Sequence, residues 1–325
     1  MASAVSIPSS TLVAEFLTEK GKEVIKKMFL SPETANMVRK FDGVTDKLIL
    51  AEQDITTSLI KEWSSTLSWT DDALVIKEVK LETAQLKTEL KFILREETTR
   101  AYKAYLKGAG ITADDMSLVE YLLEQPMEKQ AEEIENAMWQ AVTIAPSGTP
   151  RTLTQRIDGY RKIAKDAGVA GNATVVTTGA ITSSNAVSKV ESFYRACHKE
   201  MKKKGLVIYC SYTLFEDYQQ NMLTLHPNSD VNLVNITGTG YTLTGLKLRL
   251  GGGKSMLVPV AGFGDDDALV GTRPEFLAYG FDYESESSEW DIQKQGWETW
   301  ALNAFPMGLQ ILLKKPGFLL VNDRL

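Results

Sequence analysis

The spacing of hydrophobic positions changes several times along this 325-residue chain, and each change predicts a different element. From Met116 the apolar side chains run Met116, Val119, Leu123, Met127, Ala131, Ile134, Met138 and Val142. Steps of three and four keep one face of a helix through many turns, so the spacing predicts a long amphipathic helix over about residues 116–142. Asp114 and Asp115 offer capping oxygens and favourable charge at its start. Pro126 falls inside the pattern and predicts a kink there, or a break into two stacked helices. With Glu128, Glu132, Glu133 and Glu135 on its other faces, such a helix needs a broad sheet or a neighbouring subunit to lie across.

Between Lys47 and Leu94 the period falls to two. Val79 and Leu81 alternate with Glu78, Lys80 and Glu82, and Leu90 and Phe92 alternate with Glu89 and Lys91. That alternation predicts strands with one covered face, in a long hairpin or an extended loop. The first 45 residues read as an arm, with Leu12, Phe16, Val24, Met28 and Phe29 at partly helical spacing interrupted by Gly21. A short amphipathic helix is expected there. Further on, Ser183 or Ser184 opens a helix with Val187, Val190, Tyr194, Cys197 and Met201 on one side, Lys202 to Lys204 at its end, and Gly205 closing it. The buried-looking strand Leu206 to Cys210 follows, then a helix to about Leu225 for which Thr213 and Glu216 fit a capping box. Helix, strand and helix in so short a span make an α/β module. From Val231 onward short strands punctuated by Gly and Pro take over.

Composition excludes more than it assigns. Hydrophobic residues at 43% and charged residues at 24% are those of a globular chain, which rules out wholesale disorder. No run approaches the roughly 18 apolar residues of a membrane-spanning helix. The N-terminal MASAVSIPSSTLVAEF has neither a basic n-region nor a sustained apolar stretch, so no secretory signal is readable and folding in a cytoplasm is expected. A net charge of -6 has the wrong sign for a protein whose main task is gripping phosphate backbones. Cys197 and Cys210 cannot build a disulfide framework, and with only His198 and His226 beside them no four-ligand zinc site follows from ordinary spacing. No cofactor and no metal are expected.

Several motifs invite chemistry and are outweighed by local context. In RLGGGKS, Gly253, Lys254 and Ser255 match the end of a phosphate-binding loop, but Leu248 stands where the first Gly belongs and a strand follows, so a hairpin turn is expected. GTGYTL has Leu243 where a dinucleotide fingerprint needs its third Gly, and it too reads as a turn. Asp265, Asp266 and Asp267 read as a solvated turn, with a weak bridging cation as the minority reading. His198 is expected at a surface helix end and His226 in a loop, neither beside a sequence-local nucleophile. The six tryptophans say more. Trp63 and Trp69 flank the tip of the extended loop, Trp139 lies near the end of the long helix, and Trp290, Trp297 and Trp300 crowd SEWDIQKQGWETW. Tryptophans on polar stretches mark subunit contacts as well as cores. The candidate contact residues are Phe16, Phe29, Trp63, Trp69, Trp290 and Trp297.

Taken in order, these segments resemble the major capsid protein of tailed double-stranded DNA bacteriophages, the Hong Kong 97-type fold. The resemblance lies in an N-terminal arm, a strand-rich extended loop and the helix MSLVEYLLEQPMEKQAEEIENAMWQAV. The module NAVSKVESFYRACHKEMKKKGLVIYCSYTLFEDYQQNM and the closing WALNAFPMGLQILLKKPGFLLVND complete it. The chain also looks similar to capsid proteins of phages infecting gut Bacteroidetes. This likeness implies an α+β fold with an arm over 1–45, an extended loop and strands over 46–95, and a peripheral domain over 96–160 and 275–325. The long helix would be its spine helix, and residues 161–274 would form an axial domain. It further implies a structural protein and not an enzyme, assembling with itself as pentameric and hexameric capsomers. The resulting icosahedral head would enclose double-stranded DNA without sequence-specific binding and without a membrane. Portal, scaffolding and decoration proteins are the implied partners, and the virion the implied location. The final strand, ending Val321, Asn322, Asp323, resembles one of a pair returning to the peripheral domain. No long N-terminal coiled coil is present to serve as a fused scaffold, and no crosslinking set of lysine, asparagine and glutamate can be placed. The competing readings are an encapsulin-like nanocompartment shell and, from another class, a soluble phosphate-binding enzyme using GGGKS.

Overall fold

The structure, a computed structural model, describes residues 31–55, 74–93, 118–146, 150–227, 234–238, 241–250, 254–282, 290–295 and 298–325. After a 3-10 turn at Thr34–Asn36 come strands β1 (Arg39–Phe41), β2 (Lys47–Ile55), β3 (Leu74–Glu82) and β4 (Ala84–Ile93). Helices α1 (Leu118–Gln140), α2 (Leu153–Arg156) and α3 (Tyr160–Val169) follow, then β5 (Thr174–Val176), α4 (Ala186–Arg195), α5 (Lys199–Lys204), β6 (Val207–Cys210) and α6 (Tyr212–Leu225). The chain ends in strands β7 (Val234–Gly238), β8 (Tyr241–Lys247), β9 (Met256–Pro259), β10 (Val270–Thr272), β11 (Leu277–Phe281), β12 (Trp290–Gln295), β13 (Glu298–Ile311) and β14 (Leu320–Asn322).

The first sheet is organised by β13, whose 14 residues pair on both sides. One side meets β4 from Glu298↔Ile93 to Met307↔Ala84, and the other meets β12 and then β11. Strand β1 adds to β11 in parallel. Alternation decides what β13 buries: Ala301, Asn303, Phe305, Met307, Leu309 and Ile311 point inward, whereas Trp300, Leu302 and Ala304 are exposed.

Strands β2 and β3 pair only with each other, from Lys47↔Glu82 to Ile55↔Leu74. Nine residues at about 3.3 Å each make a ribbon roughly 30 Å long. Its base sits on two facing glycines, Gly280 and Gly308, which are register partners between β11 and β13. A Cβ on Gly280 would come within 2.9 Å of Leu81 Cδ2, and one on Gly308 within 2.2 Å of the Glu82 carbonyl oxygen. Leu81 is therefore fully buried over a floor that only glycine leaves low enough. Gln310 Nε2 donates to the Lys80 carbonyl at 2.8 Å and ties the same corner.

The second sheet runs β5-β14-β10-β6-β9-β8-β7, with β6 central and wholly buried. Its two faces carry two cores. Val207, Tyr209, Val258, Val270 and Val321 face α1 and α3, in one cluster with Trp139, Tyr160 and Ala164. Ile208, Cys210, Leu257 and Leu320 face α4, α5 and α6 through Phe193, Met201, Leu214 and Phe215.

Four expectations change. Helix α1 passes Pro126 as one element and does not break in two; burial of Ile134, Ala137, Met138 and Trp139 fixes its second half against the core. The helix expected after Ser184 is two helices. Between them the chain turns aside so that His198 N–H donates to Gly317 O at 3.0 Å, and the His198 ring then caps α5, accepting from Glu200 N. Helix α6 is capped by Ser211, not Thr213: the extended Ser211 backbone lets its Oγ accept from Leu214 N at 3.2 Å. Strand β14 joins the second sheet between β5 and β10, not the strands of 277–311 with which sequence order grouped it.

Leu81→Ala is expected to lower stability by about 2–4 kcal/mol through the cavity it leaves. Gly308→Ala should also destabilise, because its new methyl meets backbone and not a movable side chain. Urea unfolding of both variants checks this; midpoints equal to that of the parent chain would show that the ribbon is not anchored here.

Candidate functional site

The motifs that suggested small-molecule chemistry are accounted for by packing. Strands β8 and β9, on either side of GGGKS, are antiparallel; the hairpin turn expected there falls on residues 251–253, which lie outside the described ones. Ser255 is buried and its Oγ accepts from Leu206 N at 3.0 Å, while Lys254 Nζ reaches the Lys203 carbonyl at 3.3 Å. Both groups that would hold a phosphate serve the fold. GTGYTL joins the antiparallel pair β7 and β8. Asp266 pairs with Arg161, and Asp267 accepts from Ile181 N at 3.3 Å and lies 3.8 Å from Arg324. Among the described residues no cluster of three His, Cys, Asp or Glu side chains could hold a metal ion, and no helix is long and apolar enough to cross a membrane. His198 stacks on Phe318 at 5.1 Å, and His226 contacts Arg249. The acid of the α1 core, Glu135, is buried and bonded to Thr34.

What remains is surface. On the exposed face of β13, Trp300 is 46% and Leu302 39% accessible. Lys91 Nζ lies 5.1 Å from the Trp300 ring centre and 2.8 Å from Glu298 Oε2, and the Trp300 indole N–H donates to that same carboxylate at 3.1 Å. These bonds hold the Glu298 carboxyl below the usual carboxylate range. The result is an apolar centre with a charged rim, beside a cavity of about 320 Å³ lined by Lys91, Asp291, Gln293, Trp300 and Leu302. Other exposed apolar side chains sit beside the edge strand β5, at Val169 and Val175, and at Leu223, Leu225 and Leu250 on α6 and the β8–β9 turn. An open cavity of about 910 Å³ lies between the ribbon base and α3, lined by charges of both signs that include Lys80, Glu82, Arg156, Asp158, Asp166 and Lys314.

Of the six contact residues expected from sequence, Phe16, Phe29, Trp63, Trp69 and Trp297 lie outside the described residues. Trp290 opens β12, its backbone opposite Asn303. Trp139 is not at the surface at all: it is fully buried among Tyr160, Tyr209 and Phe263. Trp300 was passed over, although the alternation Ala301, Asn303, Phe305, Met307 sets the phase that turns it outward.

Comparison with solved structures now bears on this geometry. A chain of the satellite phage P4 procapsid, solved with its size determination (Sid) protein, superposes with a TM-score of 0.60 at 11% identity, covering 94% of this chain and 90% of that one. The chain has the Hong Kong 97-type fold. A chain of Microbacterium phage Oxtober96 (12% identity, 90% and 91% covered, TM-score 0.49) and the virus-like particle of Pyrococcus furiosus (8%, 94% and 98%, TM-score 0.48) are more distant. No protein-family model and no curated protein sequence matches, so the likeness to phages of gut Bacteroidetes rests on the residues alone.

Burial pushes the Cys197 thiol up to about 11 and the Cys210 thiol still higher. Both are expected to resist a thiol reagent at neutral pH in the folded chain and to react on unfolding. Rapid labelling of either in the native protein would contradict that burial.

Proposed function

We propose that this chain is the structural major capsid protein of a tailed bacteriophage, self-assembling into the icosahedral head that encloses its double-stranded DNA. One observation carries the reading beyond fold likeness: among the described residues the β2–β3 ribbon pairs with no third strand, and it is anchored at its base. Two-stranded ribbons are marginal alone in water, so this one is stabilised by what it lies on, and in a shell that is the next subunit. The sheets suggest the division of labour. Residues 1–45 act as arm and 46–95 as extended loop. The peripheral domain is built from 96–160 with the strands of 275–311, α1 being its spine. The axial domain is 161–274, to which the pairing of β14 adds the last strand. Phe16, Phe29, Trp63, Trp69, Trp290 and Trp297 are the contacts expected on the arm, loop and sheet, and Trp300 joins them. Pentameric and hexameric capsomers, with portal, scaffolding and decoration proteins as partners, complete the assembly in the host cytoplasm. The role is structural and includes no catalytic step. A net charge of -6 suits walls that confine DNA without binding its phosphates tightly.

Sedimentation and electron microscopy of the expressed chain should show capsomers or closed shells; a monomer under every assembly condition would sink the proposal. Trp300→Glu is expected to leave the melting temperature of the subunit close to that of the parent, because the side chain is already exposed, while reducing assembly at least several-fold. Unchanged particle yield would remove this face from the contacts.

A further inference from the structure

The 3-10 turn at Thr34–Asn36 crosses α1 and is fastened there through a buried acid. Glu135 is 6% exposed. Its Oε2 accepts from Thr34 N at 2.9 Å and its Oε1 from Thr34 Oγ1 at 2.5 Å. Thr34 Oγ1 in turn accepts from the Trp139 indole N–H at 2.7 Å. Directly before Thr34, the half-buried Glu33 carboxyl accepts from the Tyr212 hydroxyl at 3.5 Å. Two carboxyls, one buried and one half-buried, thus flank the Thr34 contact.

The groups facing them contribute little positive charge. From α3 and β11 come the buried phenols Tyr160 and Tyr279, with Tyr209 of β6 next to Tyr160, from α6 Tyr212, and from the turn at Ala261–Phe263 the Gly262 amide. Tyr160 directs its hydroxyl at the Ala278 carbonyl instead. The guanidinium of Arg161 is taken up by Asp266 and the Phe263 carbonyl, and Lys40, on the side of β1, donates to Asn36 Oδ1. Among the described residues no cation forms an ion pair with Glu33 or Glu135.

We propose that the Glu33–Thr34 segment is a pH-sensitive latch on α1, closed while at least one of Glu33 and Glu135 is protonated and loosened when both are ionised. Charge repulsion between the buried Glu135 and the half-buried Glu33 on the other side of Thr34 is the physical cause. Burial raises both carboxyls above the ordinary carboxylate value, and the charge of Glu135 raises Glu33 further; hydrogen bonds from Thr34 oppose this at Glu135 without cancelling it. The sign follows. A carboxyl raised on docking holds its proton more tightly in the docked state, so the latch is strongest below the ordinary value and weakens as pH rises through the raised one. The latch belongs to the fold and does not depend on the shell reading.

Hydrogen exchange of the full chain tests it, following the Thr34, Asn36 and Met37 amides from about pH 5 to about pH 8. Rates are corrected for intrinsic exchange and referenced to amides of β6. Protection is expected to fall as pH rises, by at most about tenfold per pH unit for each proton released. In Glu33→Gln the fall should shrink, since repulsion is gone, and protection at the upper end should exceed that of the parent. A flat profile in the parent, or the same slope in Glu33→Gln, overturns the latch. Glu135→Gln, which keeps an acceptor for Thr34 N but cannot ionise, should flatten the profile; if that variant is unfolded, the comparison of parent with Glu33→Gln still decides.

Discussion

Burying the indole of Trp139 is the constraint around which the rest of the subunit is arranged. Its ring centre lies 5.4 Å from that of Tyr160, 5.1 Å from Tyr209 and 5.0 Å from Phe263, so one side chain joins α1, α3, the central strand β6 and the turn after β9. Desolvating the ring obliges its N–H to find an acceptor, and Thr34 supplies it from the start of the described chain. Close approach is secured by residues without side chains. A Cβ on Gly159 would meet the Trp139 carbonyl at 2.7 Å, and one on Gly262 the Glu135 carbonyl oxygen at 2.2 Å. The second half of α1 therefore packs partly against bare backbone, which leaves little freedom in where the helix lies.

From that fixed centre the two sheets take different tasks. The second sheet has a core on each face and is closed in the manner of a self-sufficient α/β layer. The first sheet buries one face of β13 and leaves Trp300 and Leu302 on the other, and it carries the ribbon on its Gly280 and Gly308 floor. The second sheet is finished within the chain, whereas the first leaves an apolar patch at Trp300 and Leu302 open to solvent.

Much of this was legible in residue order where burial is one-sided and local. The long period of α1, the alternation through Val79 and Leu81 and the LVIYC strand follow from chemistry within a few residues. What escaped depends on partners far away. Helix α3 was not read because its buried positions are Tyr160, Ala164 and Ala167, two of them too small to stand out as a hydrophobic face. Ser211 caps α6 because of a backbone conformation, and its hydroxyl also answers the Asp266 carbonyl at 3.0 Å, neither visible in the string. The place of β14 is set by pairing with β5 and β10. For the candidate contacts, an aromatic on a polar stretch marks exposure and burial alike, which is why Trp300 was not among the residues singled out.

The ribbon corner has a consequence in time as well as in space. Gln310 fastens Lys80 across 230 residues of sequence, so the floor on which the ribbon rests does not exist until residues 280 to 310 have been made. Pairings of that separation form slowly, after local helices and turns. Until then Leu81 and the backbone of Glu82 have no glycine floor to pack on, so the first-made half of this corner waits for the later-made half before it can be buried.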